Sequence, residues 1–186
     1  GLSNYIKSKT MKNLFTTLLL LIGCTTSLTA QTDTKHFTCQ ISETGSTYFF
    51  PKQETNEILK KGEGLLDLSA YHGNLNWHQD NEVKPFQELI NNRTFTKQRM
   101  QELEKGENIR IKSYFDETGI VKYVCFWLPK GKKTLLTDEE MYAIYKQYKG
   151  VKYDISKAKV IKTETGLKNR FYVPILFGIP FVDLKY

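Results

Sequence analysis

The chain has 186 residues, 40 % hydrophobic and 13 % aromatic with five prolines, a composition that excludes a disordered tract or a Pro-rich stalk. Its formal charge is +7, but Lys7, Lys9 and Lys12 precede a predicted cleavage point after Ala30, and no acid does. The other 24 basic residues against 20 acidic ones leave an excess of four, mild for a nucleic-acid binder, so no nucleic-acid partner is expected.

Met11-Lys12-Asn13 reads as the basic start of an export signal, and Leu14–Ile22 as its apolar stretch. About nine residues is half of what a bilayer-spanning helix needs. Residues 1–10 are read as upstream read-through, 11–30 as a signal peptide and 31–186 as one domain, cut between Ala30 and Gln31. Leu21-Ile22-Gly23-Cys24 also matches a bacterial lipobox, in which Cys24 would be lipidated and become the new N-terminus. The first reading makes the protein periplasmic or secreted, the second an outer-membrane lipoprotein, and only the second gives it a membrane partner. After simple cleavage Cys39 and Cys125 remain, a pair that leaves open a disulfide or two free thiols. Their separation has no diagnostic spacing, and free cysteine packs as a small hydrophobe, so the thiols are preferred.

Phe37, Cys39 and Ile41 alternate with polar residues, Glu43-Thr44-Gly45 punctuates, and Thr47–Phe50 follows, which predicts a first hairpin. Residues 51–82 are the least periodic, with one short apolar stretch at 65–68. Pro85 is expected to open a short helix carrying Phe86, Leu89 and Ile90. Thr96 should cap the next helix, with Phe95 and Met100 as a hydrophobic staple and Gly106 as its stop. Ile109, Ile111 and Phe115 alternate with Arg110, Lys112 and Tyr114, giving a strand with one solvated face. Asp116–Gly119 turns the chain into Ile120–Leu128, apolar on both faces and therefore a central strand. Thr137-Asp138-Glu139-Glu140 is a capping box, and Met141, Ile144, Tyr145 and Tyr148 form one apolar helical face ended by Gly150. A short strand is expected at Lys159–Thr163 and a closing one at Arg170–Gly178, pushed toward an edge by Pro174.

Ile111 to Val121 and Val173-Pro174-Ile175-Leu176-Phe177 resemble the C-terminal domain of TonB-type energy transducers. In that family a strand pair with an Asp-x-x-Gly turn precedes a helix, and the domain closes on a Val-Pro strand. The resemblance spans residues 96–178; nothing comparable covers 31–95, and five prolines do not make the family's long Pro-rich span. It implies a fold, and a habit of binding extended peptides at a sheet edge, here through Arg170, Tyr172 and Leu176.

Tyr71–Asp80 is the most polar-aromatic stretch and is read as a loop. Tyr71 and Trp77 could stack a sugar, with Asn74, Asn76 and Gln79 as hydrogen-bonding groups; the plainer reading makes the aromatics lids over the core. His72, His78 and Asp80 lack the regular spacing of a zinc site, so no metal is assigned. No cofactor fingerprint, Walker loop or Gly-x-Ser-x-Gly elbow occurs. Glu139 and Glu140 are accounted for by capping, and Lys130–Lys133 by a solvated turn. The expectation is an α+β domain, an antiparallel sheet with two or three helices on one face and a TonB-like second half. Its expected role is a non-catalytic binding module for a protein or peptide; a glycan-contacting protein and a hydrolase with an unrecognised site are the alternatives.

Overall fold

The computed structural model describes residues 33–52, 66–71, 73–160 and 173–186. Their fold is α+β, a five-stranded antiparallel sheet with helices against one face. The predicted hairpin is β1 (Phe37–Ile41) and β2 (Thr47–Pro51), turned by Gly45 at a φ of 84°. β2 pairs with β5 (Val121–Leu128), which pairs with β4 (Arg110–Phe115), and β4 carries β7 (Val173–Gly178). Among the described strands the order β1-β2-β5-β4-β7 makes β5 central and β7 an edge. The start of the predicted closing strand, 170–172, lies outside the described residues. A separate short pair joins β3 (Leu66–Asp67) to β6 (Lys159–Val160).

Register decides what each face carries, because neighbours across strands share a face. Phe37, Phe49, Phe126, Ile111 and Phe177 fall on one side and pack with the helices into the main core. The opposite face was expected to be solvated along β4, and Arg110 is exposed there with Lys112 half-buried. Tyr114 departs from it, buried with Phe50, Tyr123 and Cys125, and Tyr48 packs on them. A polar hydroxyl on a large ring reads as surface in a pattern of alternation, yet the ring buries well.

No disulfide joins Cys39 to Cys125. Cys39 pairs in register with Phe49, and Phe49 with Phe126, so Cys39 belongs to the helix face, two strands from Cys125 on the other. Adjacent strands lie about 4.8 Å apart, which puts these backbones beyond disulfide reach. The disulfide reading of Cys39 and Cys125 is therefore corrected.

The helices show one larger departure. Backbone from Leu75 to Asn91 is helical throughout: α1 (Leu75–His78), a π-turn (Gln79–Val83) and α2 (Lys84–Asn91). Asn74 caps the start by accepting from the Trp77 amide at 3.1 Å. Pro85 thus sits inside a helical run and does not open one. Lys84 bonds back to Gln79, five residues earlier, in the wide turn just ahead of the proline that brings no amide of its own. α3 (Lys97–Leu103) is capped by Thr96 as expected, with Phe95 and Met100 both buried. Its end is not a glycine stop, because Gly106 has no positive φ. A Cβ there would lie 2.5 Å from the end of the half-exposed Leu135 side chain, which would have to move aside.

α4 (Asp138–Tyr148) has the full capping box and buries Met141, Ile144, Tyr145 and Tyr148. Arg99 grips Glu140 with both Nε and a terminal nitrogen, at 2.7 and 3.0 Å, tying α3 to α4. Burial pushes the Glu140 carboxyl up, but the guanidinium and the Thr137 amide outweigh it and hold it below its ordinary range. The Lys130–Lys133 run forms the exposed tip after β5, with Lys132 reaching Glu107.

Candidate functional site

Residues 71–81 and the stretch 152–157 face each other across a cleft of about 190 Å³. One wall is the 3₁₀ turn Ser69–Tyr71 and the first turns of the α1 run. The other is held in place by hydrogen bonds that the aromatic side chains make to its backbone. Trp77 Nε1 donates to the carbonyl of Asp154 at 3.0 Å, and Tyr71 Oη accepts from the Lys157 amide at 2.8 Å. The Tyr71 and Trp77 rings meet with centroids 5.5 Å apart, and Trp77 lies equally close to Tyr153 in the core. These rings therefore hold the cleft together as well as line it, so the plainer reading of them as lids holds in part.

Tyr71, Asn74 and Trp77 all line this cleft, so three of the residues singled out from sequence come together. Asn76 lines it too, whereas Gln79 does not. The segment is largely helical, not a loop, and the helix is what puts Trp77 and Asn81 one turn apart on the same wall. Leu176 is elsewhere, half exposed (51 %) on β7 and on the sheet face away from the helices. Arg170, Tyr172, His72 and Cys24 lie outside the described residues.

Asn81 was not foreseen. It stands in the π-turn, is only 3 % exposed and lines the cleft. Lys152, Asp154 and Lys157, from the facing segment, complete a wall with two acids, Asp80 and Asp154, and two lysines. Asp80 is paired with Lys84 and Lys152 donates to the Thr118 carbonyl. The Ser156 backbone amide and hydroxyl hold Asp154 below its ordinary range, so it stays ionised.

On a neighbouring part of the same helix His78 lies between two carboxylates. Its Nδ1 is 2.6 Å from Glu82 and its Nε2 3.3 Å from Asp183 in the C-terminal 3₁₀ turn (Phe181–Asp183). Burial lowers the imidazole, but bonds and charge from Asp183 and Glu82 outweigh it and leave it raised above 6.5. Burial also raises Glu82 against the opposing pull of His78. A neutral imidazole has one N–H and can serve only one carboxylate. The stability contributed by protonated His78 is therefore complete below about 6.5 and lost as pH rises through its higher folded value, and the raised Glu82 acts with the same sign. Calorimetry should show the melting temperature falling between pH 6 and 8 by more in the wild type than in His78→Gln; equal falls would break the assignment.

Among the described residues one group of metal-type donors converges, His36, Asp138 and Glu139, with ligand atoms within 4.8 Å of one another. These groups already serve one another. His36 stacks on Tyr142 and lies 3.2 Å from Glu139, and Lys35 takes the other Glu139 oxygen at 2.7 Å. The two acids also stand in the first turn of α4, where the helix dipole favours them.

No model of a known protein family matches the chain, and no curated protein or solved structure matches it significantly. Among the described residues no helix is long and apolar enough to cross a membrane.

Proposed function

We propose that the chain is an exported, non-catalytic binding module that takes a small polar ligand in the cleft between the α1 run and residues 152–157. Asn81 carries this reading. It lines the cleft, and a side-chain amide there offers a ligand one acceptor and two donors. A binding role is supported over a chemical one by what lines the cleft: its acids are ionised or ion-paired, and the raised pair His78 and Glu82 is not in its wall. Export rests on the signal pattern of residues 11–30 alone.

Titration of ¹⁵N-labelled protein with a library of small polar compounds tests this. At least one compound should shift the Asn81 side-chain amide and the Trp77 indole resonance together. Shifts confined to other parts of the molecule would place binding elsewhere.

A second reading has its own observation. β7 pairs only with β4 among the described strands, and Leu176 is half exposed, which suits addition of an extended peptide and agrees with the TonB resemblance. Pro174 opposes it by removing one backbone donor. A pull-down with wild type and Leu176→Lys separates the cases, since equal recovery of every partner by both removes the edge strand from consideration.

A further inference from the structure

Several hydrogen-bonding groups of the cleft are committed, and the chemistry of the rest narrows the ligand, given the binding role proposed above. Trp77 Nε1 is spent on Asp154, and Asn74 Oδ1 on the Trp77 amide. Tyr71 Oη accepts from Lys157, which leaves its own proton free to donate. Asn81 sets a carbonyl oxygen and an NH₂ group side by side in the cleft wall.

Charge does not select the ligand, because two acids and two lysines share the wall and most of them have partners. An anion would meet Asp80 and Asp154, a cation Lys152 and Lys157. A flat base is also poorly served. Tyr71 is buried, its ring set against Trp77, and Trp77 is backed by Tyr153, so no open slot between parallel aromatic faces exists among them. The neutral groups offered are the side-chain amides of Asn81 and Asn76, the NH₂ group of Asn74, the Tyr71 hydroxyl proton and an apolar indole wall. Two neighbouring hydroxyls, each able to donate and accept, complement a side-chain amide, and the C–H face of a saturated ring suits the indole. The volume, about 190 Å³, is below that of pockets for drug-sized ligands and suits one ring.

We infer that the cleft binds a single neutral sugar residue, as a monosaccharide or the end of a glycan, with Asn81 holding two adjacent hydroxyls and Tyr71 donating to a third oxygen. Selectivity then comes from an amide of the cleft wall whose bond to a hydroxyl a deoxy analogue cannot make.

The test is a set of parallel NMR and calorimetric titrations of the full chain. One arm holds neutral monosaccharides and short oligosaccharides, a second nucleosides, a third dipeptides. The expected result is a saturating shift of the Asn81 amide by at least one sugar and none by the other arms. Affinity should fall at least tenfold for the matching deoxy sugar and in Asn81→Asp, whose near-isosteric side chain leaves the circular dichroism unchanged. Nucleosides or dipeptides moving the Asn81 amide while every sugar fails would overturn the sugar assignment and keep the binding module. Silence of the Asn81 amide in all three arms would overturn both.

Discussion

Ile144→Ala is expected to cost about 2–5 kcal/mol, the sum of lost transfer energy and the cavity left behind. Ile144 is fully buried in the middle of α4, flanked on its face by Met141, Tyr145 and Tyr148, whose large side chains fill such a space poorly. Thr137→Ala supplies the comparison. Thr137 is exposed, and its hydroxyl accepts from the Glu140 amide at 3.2 Å, so its loss should cost about 1 kcal/mol. Urea unfolding with an unchanged slope gives both numbers. An Ile144→Ala midpoint no lower than that of Thr137→Ala would mean that this face does not carry the core.

Gly119→Ala should be the most damaging change outside the core, costing roughly 3 kcal/mol from two sources that can be separated. Gly119 has a φ of 84°, where a side chain costs about 1–2 kcal/mol. Its Cβ would also lie 2.4 Å from the carbonyl oxygen of Tyr153, and backbone cannot swing aside as a side chain can. The two segments are hydrogen-bonded there, Tyr153 N–H donating to the Gly119 carbonyl at 2.8 Å. Gly131 is the control: its φ is 73°, but nothing lies within 4 Å of an added Cβ. Gly131→Ala should therefore show the conformational cost alone, about 1–2 kcal/mol. Equal losses in the two variants would show that the Gly119–Tyr153 approach is not close. Because Tyr153 leads into the facing wall of the cleft, Gly119→Ala should also weaken ligand binding.

Elements whose signals are local were legible in the sequence. Thr96 and Thr137 bond to amides three residues on, the staple and the i, i+3, i+4 face follow, and α3 and α4 came out with their buried faces. The hairpin at 37–51 and the central strand β5 were legible for the same reason. The strand order was not, because β2 lies against β5 and β4 against β7 through pairings far apart in the chain. Asn74 looked like one more polar loop residue, and Pro85 like a beginning, so the helical run between them was missed. The candidate site divides in the same way. Tyr71, Asn74 and Trp77 stood out by composition, whereas Lys152, Asp154 and Lys157 reach the cleft only through the fold. Asn81 gave no signal, since nothing about an asparagine in a polar stretch says that it will be buried.

The wide turn at Gln79–Val83 has a geometrical consequence for the cleft. Each residue of an α-helix advances the side-chain direction by about 100°, and one π-turn amounts to a single extra residue in the spiral. Removing one residue from 79–83 would restore a regular helix, with Phe86 and Leu89 keeping their seats in the core. Trp77 and its capping Asn74 would then swing by roughly a quarter of a revolution, and the indole would leave the Asp154 carbonyl it now holds. A straighter helix would thus keep its anchor in the core while the face proposed for binding turned away.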